Sequence, residues 1–443
     1  MATHRKKVII IGAAGRDFHN FNTLYRKDEA TEVIAFTAAQ IPDIDGRIYP
    51  PELAGPLYPD GIPIHAQSEL PEMIKDREVD LCLFSYSDIS YHEVMSLAAL
   101  VNTAGADFML AGPKHTMIES HKPVIAIGAV RTGCGKSQTS RKVIEILMEK
   151  GKKVVAVRHP MPYGDLVAQK VQRFETIDDL HRHNCTIEEM EEYEPHVIRG
   201  NVIYSGVDYE AILREAEKET DIIVWDGGNN DLPFYRPDLM ITVTDPHRAG
   251  HELSYFPGET TLRMADIVVI NKIDTAAPDG IQQLRINIEK VNPKAVIVDA
   301  ASPITVDHPE RIKGKKVLVV EDGPTLTHGH MNTGAGTVAA IKYGALQRID
   351  PRPYATGKLL DTFRTYPDIG MLLPAMGYGE QQIKDLEATI RAAECDTVIV
   401  GTPIDLSRVV SIDQPVAKVG YELQEIGHPT LDELLDTFVE KFF

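Results

Sequence analysis

Five consecutive residues, Gly133-Cys134-Gly135-Lys136-Ser137, have the composition needed to grip a polyphosphate. The glycines let backbone N–H groups turn inward, and the N-terminus of a following helix adds positive potential. A lysine at this point reaches the β- and γ-phosphates, and the next hydroxyl binds Mg²⁺. Lys136 is therefore the candidate catalytic cation and Ser137 a metal ligand, and Gln138 is counted with the nucleotide-binding turn. The full pattern asks for glycine where Val130 stands, so the loop is a variant. Arg131 precedes it and is a second catalytic candidate, either touching phosphate across a dimer interface or simply facing outward. Asp226 closes the apolar run Asp221-Ile-Ile-Val-Trp225, where an acidic residue can hold Mg²⁺ through water. The run Ile267-Val-Val-Ile270 leads into Asn271-Lys272-Ile273-Asp274, a guanine-reading pattern that makes Asn271, Lys272 and Asp274 base-binding candidates.

A second substrate needs its own basic groups. Arg158 and His159 end the run Val154–Val157, where a phosphoryl acceptor would sit, and arginine pairs with phosphate through two nitrogens. Arg16 and His19 follow the glycine turn Gly12-Ala-Ala-Gly15. His247 and Arg248 follow a further strand, and His328 lies in a glycine-rich loop after Val317–Val320. Together these are the substrate-binding candidates. His181, His183 and His196 fall among Glu188, Glu189, Glu191, Glu192 and Glu194; a metal cluster is one reading, but the spacing matches no recognised ligand pattern and the charge predicts a mobile acidic helix.

Positioning these groups takes parallel sheets. Short β-branched runs alternate with helical patterns along the whole chain: Val8–Ile11, Val33–Phe36, Leu81–Phe84, Val124–Ile127, Val154–Val157, Ile222–Trp225, Ile267–Ile270, Val296–Val298, Val317–Val320 and Thr397–Val400. Uninterrupted apolar strands separated by helices predict α/β architecture with sheets covered on both faces. At 443 residues the chain exceeds one ordinary core. The expected division is a Rossmann-like N-terminal domain (1–122), a P-loop nucleotide domain (123–302) and a C-terminal α/β extension (303–443). Pro42 to Pro63 holds six prolines and three glycines and predicts a loop or lid without regular structure. The amphipathic stretch Thr430–Phe443 predicts a terminal helix packed on the sheet of its own extension, with a dimer contact as the alternative.

Composition narrows the partners. A formal charge of −19 argues against sequence-independent nucleic-acid binding. No apolar run approaches the roughly 20 residues that cross a bilayer. Four cysteines without a CxxC pair suit reduced thiols in the cytoplasm. The expectation is a cytoplasmic homodimer acting on a small phosphorylated substrate with Mg²⁺ and ATP, or GTP in its place.

The P-loop resembles the class that includes nickel-insertion GTPases, signal-recognition GTPases and dethiobiotin synthetase. Beyond it, Gly12–Asn22, Arg131–Ser137, Arg158–Asp165, Trp225–Asp231 and Glu321–His328 together resemble the cyclic 2,3-diphosphoglycerate synthetases over nearly the whole chain. That resemblance implies ATP-driven closure of 2,3-diphosphoglycerate into a cyclic phosphoanhydride. Asn271-Lys-Ile-Asp274 points instead toward GTP and keeps open a metallochaperone or regulatory GTPase that acts on a protein partner.

Overall fold

The computed structural model describes residues 5–443 except 14, 39–43, 45, 160–163, 229, 324, 325, 327–332 and 377–379. All ten of the apolar runs above are strands, and they fall into three sheets. The first sheet runs Ile48–Tyr49, Ile62–Ala66, Thr31–Ala38, Lys6–Ile11, Leu81–Phe84 and Asp107–Leu110, parallel apart from the pair at its first edge. The second has nine strands, ordered Gln172–Phe174, Val202–Ser205, Val154–Arg158, Ile222–Asp226, Val124–Ala129, Leu239–Thr244, Ile267–Ile270, Val296–Ala301 and Gln424–Ile426. Only its two edge strands are antiparallel. The third is built around Lys316–Asp322 and Thr397–Val400.

Strands buried on both faces explain the continuous apolar runs: Val124 to Ile127 are completely buried, as are Val268 to Ile270. In the second sheet the P-loop strand, Val124–Ala129, lies between Ile222–Asp226 and Leu239–Thr244. Every loop named as a candidate in that sheet therefore opens at the carboxyl ends of neighbouring parallel strands, where ligands bind in such sheets.

Two expectations are corrected. The stretch from Pro42 to Pro63 is not irregular throughout its described part. It holds the strand Ile48–Tyr49, a helical turn Pro51–Ala54 started by proline, and the beginning of Ile62–Ala66. Tyr49 is completely buried there and stacks on Phe18 at 4.6 Å, so an aromatic anchor orders the segment. The terminal helix Leu431–Phe442 does not cover the third sheet. Its apolar face (Leu431, Leu435, Phe438) joins the core of the second sheet and packs on the P-loop helix Lys136–Glu149. Lys150 fixes its outer side through Asp432 at 2.8 Å and Asp436 at 2.6 Å. The strand Gln424–Ile426 just before it completes the edge of that same sheet.

The N-terminal sheet is tied to the nucleotide sheet by a two-stranded ribbon, Ile89–Ser90 against Tyr255–Phe256, and by a bridge from Ile118 to Tyr235. Among the described residues no helix is long and apolar enough to cross a membrane.

Candidate functional site

The phosphate turn is held open from behind. Four of its carbonyls accept hydrogen bonds from side chains brought in by other strand ends. Asn230 Nδ2 donates to Val130 at 3.0 Å, Arg248 to Thr132 at 2.8 Å, Lys272 Nζ to Gly133 at 2.6 Å and Asn271 Nδ2 to Cys134 at 2.9 Å. With these carbonyls taken up from behind, the glycine turn and the helix N-terminus that follows it make an anion cradle. The helix Lys136–Glu149 begins at that cradle with Gly135 in the left-handed region.

Lys136 Nζ lies 2.5 Å from Asp226 Oδ1. Asp226 is completely buried and also receives Ser140 Oγ at 2.7 Å, Arg158 at 3.1 Å and His196 Nε2 at 3.1 Å. Burial alone would raise this carboxyl, but Lys136, Arg158 and His196 hold it well below the usual carboxylate range. Burial, seconded by Arg158, lowers Lys136 to about 8 against the pull of Asp226. The chemistry of this set fits a magnesium nucleotide. A cradle of amides faces a lysine and a serine hydroxyl, with a strongly acidic carboxyl on the adjoining strand end.

The base-reading candidates separate by role. Asn271 and Lys272 brace the turn, and Lys272 also reaches Asp245 at 2.9 Å. Asp274 is exposed, with Oδ1 accepting from the Ser302 backbone at 3.3 Å. Gln138 is buried and takes a hydrogen bond from Ser302 Oγ at 3.1 Å.

The substrate candidates fare differently. Arg16 is buried between the N-terminal sheet and the nucleotide sheet, 3.0 Å from Asp231 and over the Phe234 ring. His19 stacks on Phe234 at 4.1 Å and touches the Thr116 carbonyl, and burial followed by Arg16 pushes it well below its ordinary range. Both serve the joint between sheets. Arg131 does not face solvent. It is 2% exposed, pairs with Asp88 at 2.5 Å, meets His251 Nδ1 at 2.7 Å and lies 3.6 Å over the Tyr255 ring. The ribbon that joins the two sheets brings Asp88 and Tyr255 to it.

Arg158 binds Glu192 as well as Asp226. His159 stands 3.8 Å from Asp231. Arg248 leans on the turn with Nε and Nη1 lacking partners among the described residues. His247 is exposed and contacts Thr275 Oγ1 at 3.0 Å. His328 lies outside the described residues.

The segment around Glu188 is a helix as expected, but a buried one. Ile187–Val197 is a buried helix, with Glu188, Glu189, Glu191, Glu194 and His196 each 5% exposed or less. It lies between the nucleotide sheet and the third sheet, whose core takes Ile187. His196 and Glu192 thereby reach Asp226 and Arg158. Sequence reasoning missed Ser140, Asn230, Asp88, Asp245 and Glu192 as members of the site. Ser140 and Asn230 carried a local signal, one a helical turn beyond Lys136 and the other inside the run after Asp226. The rest are assembled only by tertiary contact.

No family model matches the chain. The chain is 63% identical over 436 residues to the arginine synthetase ArcE of Thermococcus kodakarensis, covering 98% of this chain and 97% of that protein. It is 30% identical over 114 residues to a cyclic 2,3-diphosphoglycerate synthetase of Thermococcus sibiricus, 25% of this chain and 26% of that protein, not the nearly whole length the motifs suggested. Among solved structures, LpxK from Aquifex aeolicus in complex with ATP aligns at TM-score 0.43 and 12% identity, over 74% of this chain and 90% of that one. On the whole-length match, the chain belongs to the family of the arginine synthetase ArcE.

Proposed function

We propose that this protein is a nucleotide-dependent synthetase that forms the guanidinium group of arginine. The terminal phosphoryl of ATP passes to the oxygen of a ureido amino acid, breaking the bond to the nucleoside diphosphate. Ammonia then attacks the ureido carbon, and that carbon's bond to the phosphorylated oxygen breaks with phosphate leaving. Where ammonium is the source it first gives up a proton to expose its lone pair, so the guanidinium forms protonated and one proton is released per turn.

One observation supports this over a multiply phosphorylated substrate. Arg16, Arg131 and Arg158, the arginine candidates for anion contacts, are each already paired with carboxylates (Asp231, Asp88, and Asp226 with Glu192). Breaking buried pairs of this kind to bind an anion costs several kcal/mol apiece. A neutral ureido group and an amine demand no such exchange.

The turn at 133–137 would hold the triphosphate, with Lys136 neutralising the transferred phosphoryl and Arg248 offering unpartnered N–H groups at its rim. Ser137 and Asp226 would hold Mg²⁺, which supplies charge neutralisation between the phosphates. Arg158 positions the acceptor side of the centre through Glu192 and Asp226.

The test is ¹⁵N-ammonium, a ureido amino acid, Mg²⁺ and ATP or GTP, each omitted in turn. Labelled arginine and inorganic phosphate should form together and only in the complete mixture. Phosphate release without labelled arginine would refute the reading. Cyclisation of 2,3-diphosphoglycerate is the second reading, favoured by the 114-residue match. It requires a cyclic product in the phosphorus NMR spectrum when that substrate replaces the ureido acid.

A further inference from the structure

We infer that Arg141, on the second turn of the P-loop helix, binds the carboxylate of the amino-acid substrate beside the phosphoryl centre. This deepens the synthetase reading and rests on it for the identity of the anion, but the need for an anion is argued from contacts.

Among the described residues four arginines are buried: Arg16, Arg131, Arg141 and Arg158. Three are paired, with Asp231, with Asp88, and with Glu192 and Asp226. Arg141 is 7% exposed, yet among the described residues it has no ion-pair partner and no hydrogen-bond acceptor, and its Nε is fully enclosed. A guanidinium carries five N–H donors and keeps its charge, so burying it without an acceptor is costly. Burial accordingly holds it below the ordinary arginine range. The two carboxylates whose charge acts on it are committed elsewhere. Glu422 pairs with Arg199 at 2.5 Å, and Asp226 holds Lys136, Arg158, His196 and Ser140.

Its place follows from the helix. Arg141 stands four residues after Ser137, the candidate Mg²⁺ ligand, so the two share one face, about 5–6 Å apart at Cβ. Helical side chains lean toward the N-terminus, which carries the guanidinium back over the turn that opens at the phosphate cradle. Ser140, the residue before it, donates to Asp226 at 2.7 Å, and His196 meets the other oxygen of that carboxylate at 3.1 Å. Along the axis the rise from Lys136 to Arg141 is about 7.5 Å. An amino acid of arginine's length bridges that span when extended. Its carboxylate can meet Arg141 while its ureido oxygen reaches the phosphoryl at Lys136.

A phosphate fits less well. The nucleotide already has the cradle and Lys136, and Arg248 offers further donors at the rim. The substrate's carboxylate needs a cation of its own, and the other three buried arginines are taken. A guanidinium fork matches a carboxylate through two parallel hydrogen bonds.

The experiment uses the full chain and its variants Arg141→Gln, Arg141→Lys and Arg141→Met, with L-arginine and agmatine as probes. Agmatine is arginine without its carboxylate, so the difference between the two isolates that group. Calorimetry with Mg²⁺ and ADP present should show the wild type binding L-arginine at least tenfold more tightly than agmatine. Arg141→Gln should weaken L-arginine tenfold or more while agmatine and nucleotide stay within twofold, and Arg141→Lys should recover part of the loss. Arg141→Met removes an unpaired buried charge and should keep the urea midpoint of the ligand-free protein at or above the wild type. The subsite is refuted if the wild type binds the two probes alike or not at all, or if Arg141→Gln weakens both equally. It is refuted too if Arg141→Gln weakens the nucleotide instead, which would give the guanidinium to phosphate. A midpoint that falls in Arg141→Met as it would for a paired arginine also overturns it. The two readings fail separately. Labelled arginine formed with an unchanged KM for the ureido acid in Arg141→Gln would leave the synthetase standing without the subsite. Carboxylate-selective binding through Arg141 in a protein that makes no arginine would do the reverse.

Discussion

Replacing Asp88 with alanine should loosen the nucleotide sheet although Asp88 belongs to the N-terminal segment of the chain. Its partner Arg131 is 2% exposed and would keep a buried guanidinium with its Nε counter-charge removed. The contact to His251 and the Tyr255 ring would remain. Stranding one member of a buried pair costs about 3–5 kcal/mol, a factor of roughly 10²–10³ or more in the folding equilibrium. At an m-value of roughly 2–3 kcal/mol per molar urea, that moves the midpoint down by about 1–2 M. Trp225, the single tryptophan, reports the transition directly, because it is buried in the second sheet against Phe234 at 4.6 Å. The companion Arg131→Met should lose a similar amount. The double variant Asp88→Leu with Arg131→Met should recover most of it, since two matched apolar groups replace two charges. A midpoint shift below about 0.3 M for Asp88→Ala, with a large rise in nucleotide KM for Arg131→Met, would refute the reasoning. It would mean that Arg131 spends its charge on phosphate and not on Asp88.

Lys136→Ala should cut turnover by at least about 100-fold in a steady-state assay, as removal of a phosphate-directed cation does; near-normal turnover would displace the centre from the 133–137 turn. Gly135→Ala should abolish nucleotide binding measured by calorimetry while leaving the sheet folded. Gly135 has φ +106°, and an added Cβ would fall 2.1 Å from Asn271 Nδ2 and 2.5 Å from Gln138 Nε2, so the brace and the cradle would both be pushed apart. Glu321 should make the third sheet sensitive to alkali. Burial, opposed by the N–H groups of Thr337 and Gly336, raises its carboxyl to about 7. A raised acid contributes stability below its unfolded value near 4.5 and loses it as pH climbs through 7, up to about 3 kcal/mol by pH 8. Thermal unfolding should show the wild type weakening between pH 5 and 8 and Glu321→Gln staying flat, and parallel curves would contradict this.

What could be read from the sequence was what is local. The phosphate turn, its strand and its helix lie within 26 consecutive residues, Val124–Glu149, and their glycine, lysine and apolar periods are consequences of backbone geometry. Asp226 was equally visible, because an acidic residue closing an apolar strand has few other reasons to be there. The arginines were legible as places and not as roles. Arg16 does stand beside the nucleotide sheet, but what it meets is Asp231, 215 positions away, and no local pattern announces that pairing. The acidic helix failed for the opposite reason. Its composition has the look of a solvated surface, yet the third sheet covers it, and burial of that kind is decided by a part of the chain that begins more than a hundred residues later. The terminal helix shows the same limit: its apolar face was plain, but the choice of the P-loop helix as its partner follows from the strand Gln424–Ile426 returning to the second sheet.

That return has a consequence for how the site works. The P-loop helix is packed on one side by its own sheet and on the other by the last helix of the chain, and the third sheet is inserted between the two visits to the nucleotide sheet. The acidic helix leans on the third sheet while sharing Arg158 with Asp226. When a triphosphate draws Lys136 away from Asp226, that carboxyl keeps Arg158, His196 and Ser140, and the pull on Arg158 strengthens. Whatever Arg158 gives to Asp226 it gives less of to Glu192, and the electrostatics around Glu191 change with it. The charge at Asp226 and the charge on the acidic helix are therefore shared through one guanidinium, and a change at either end is felt at the other.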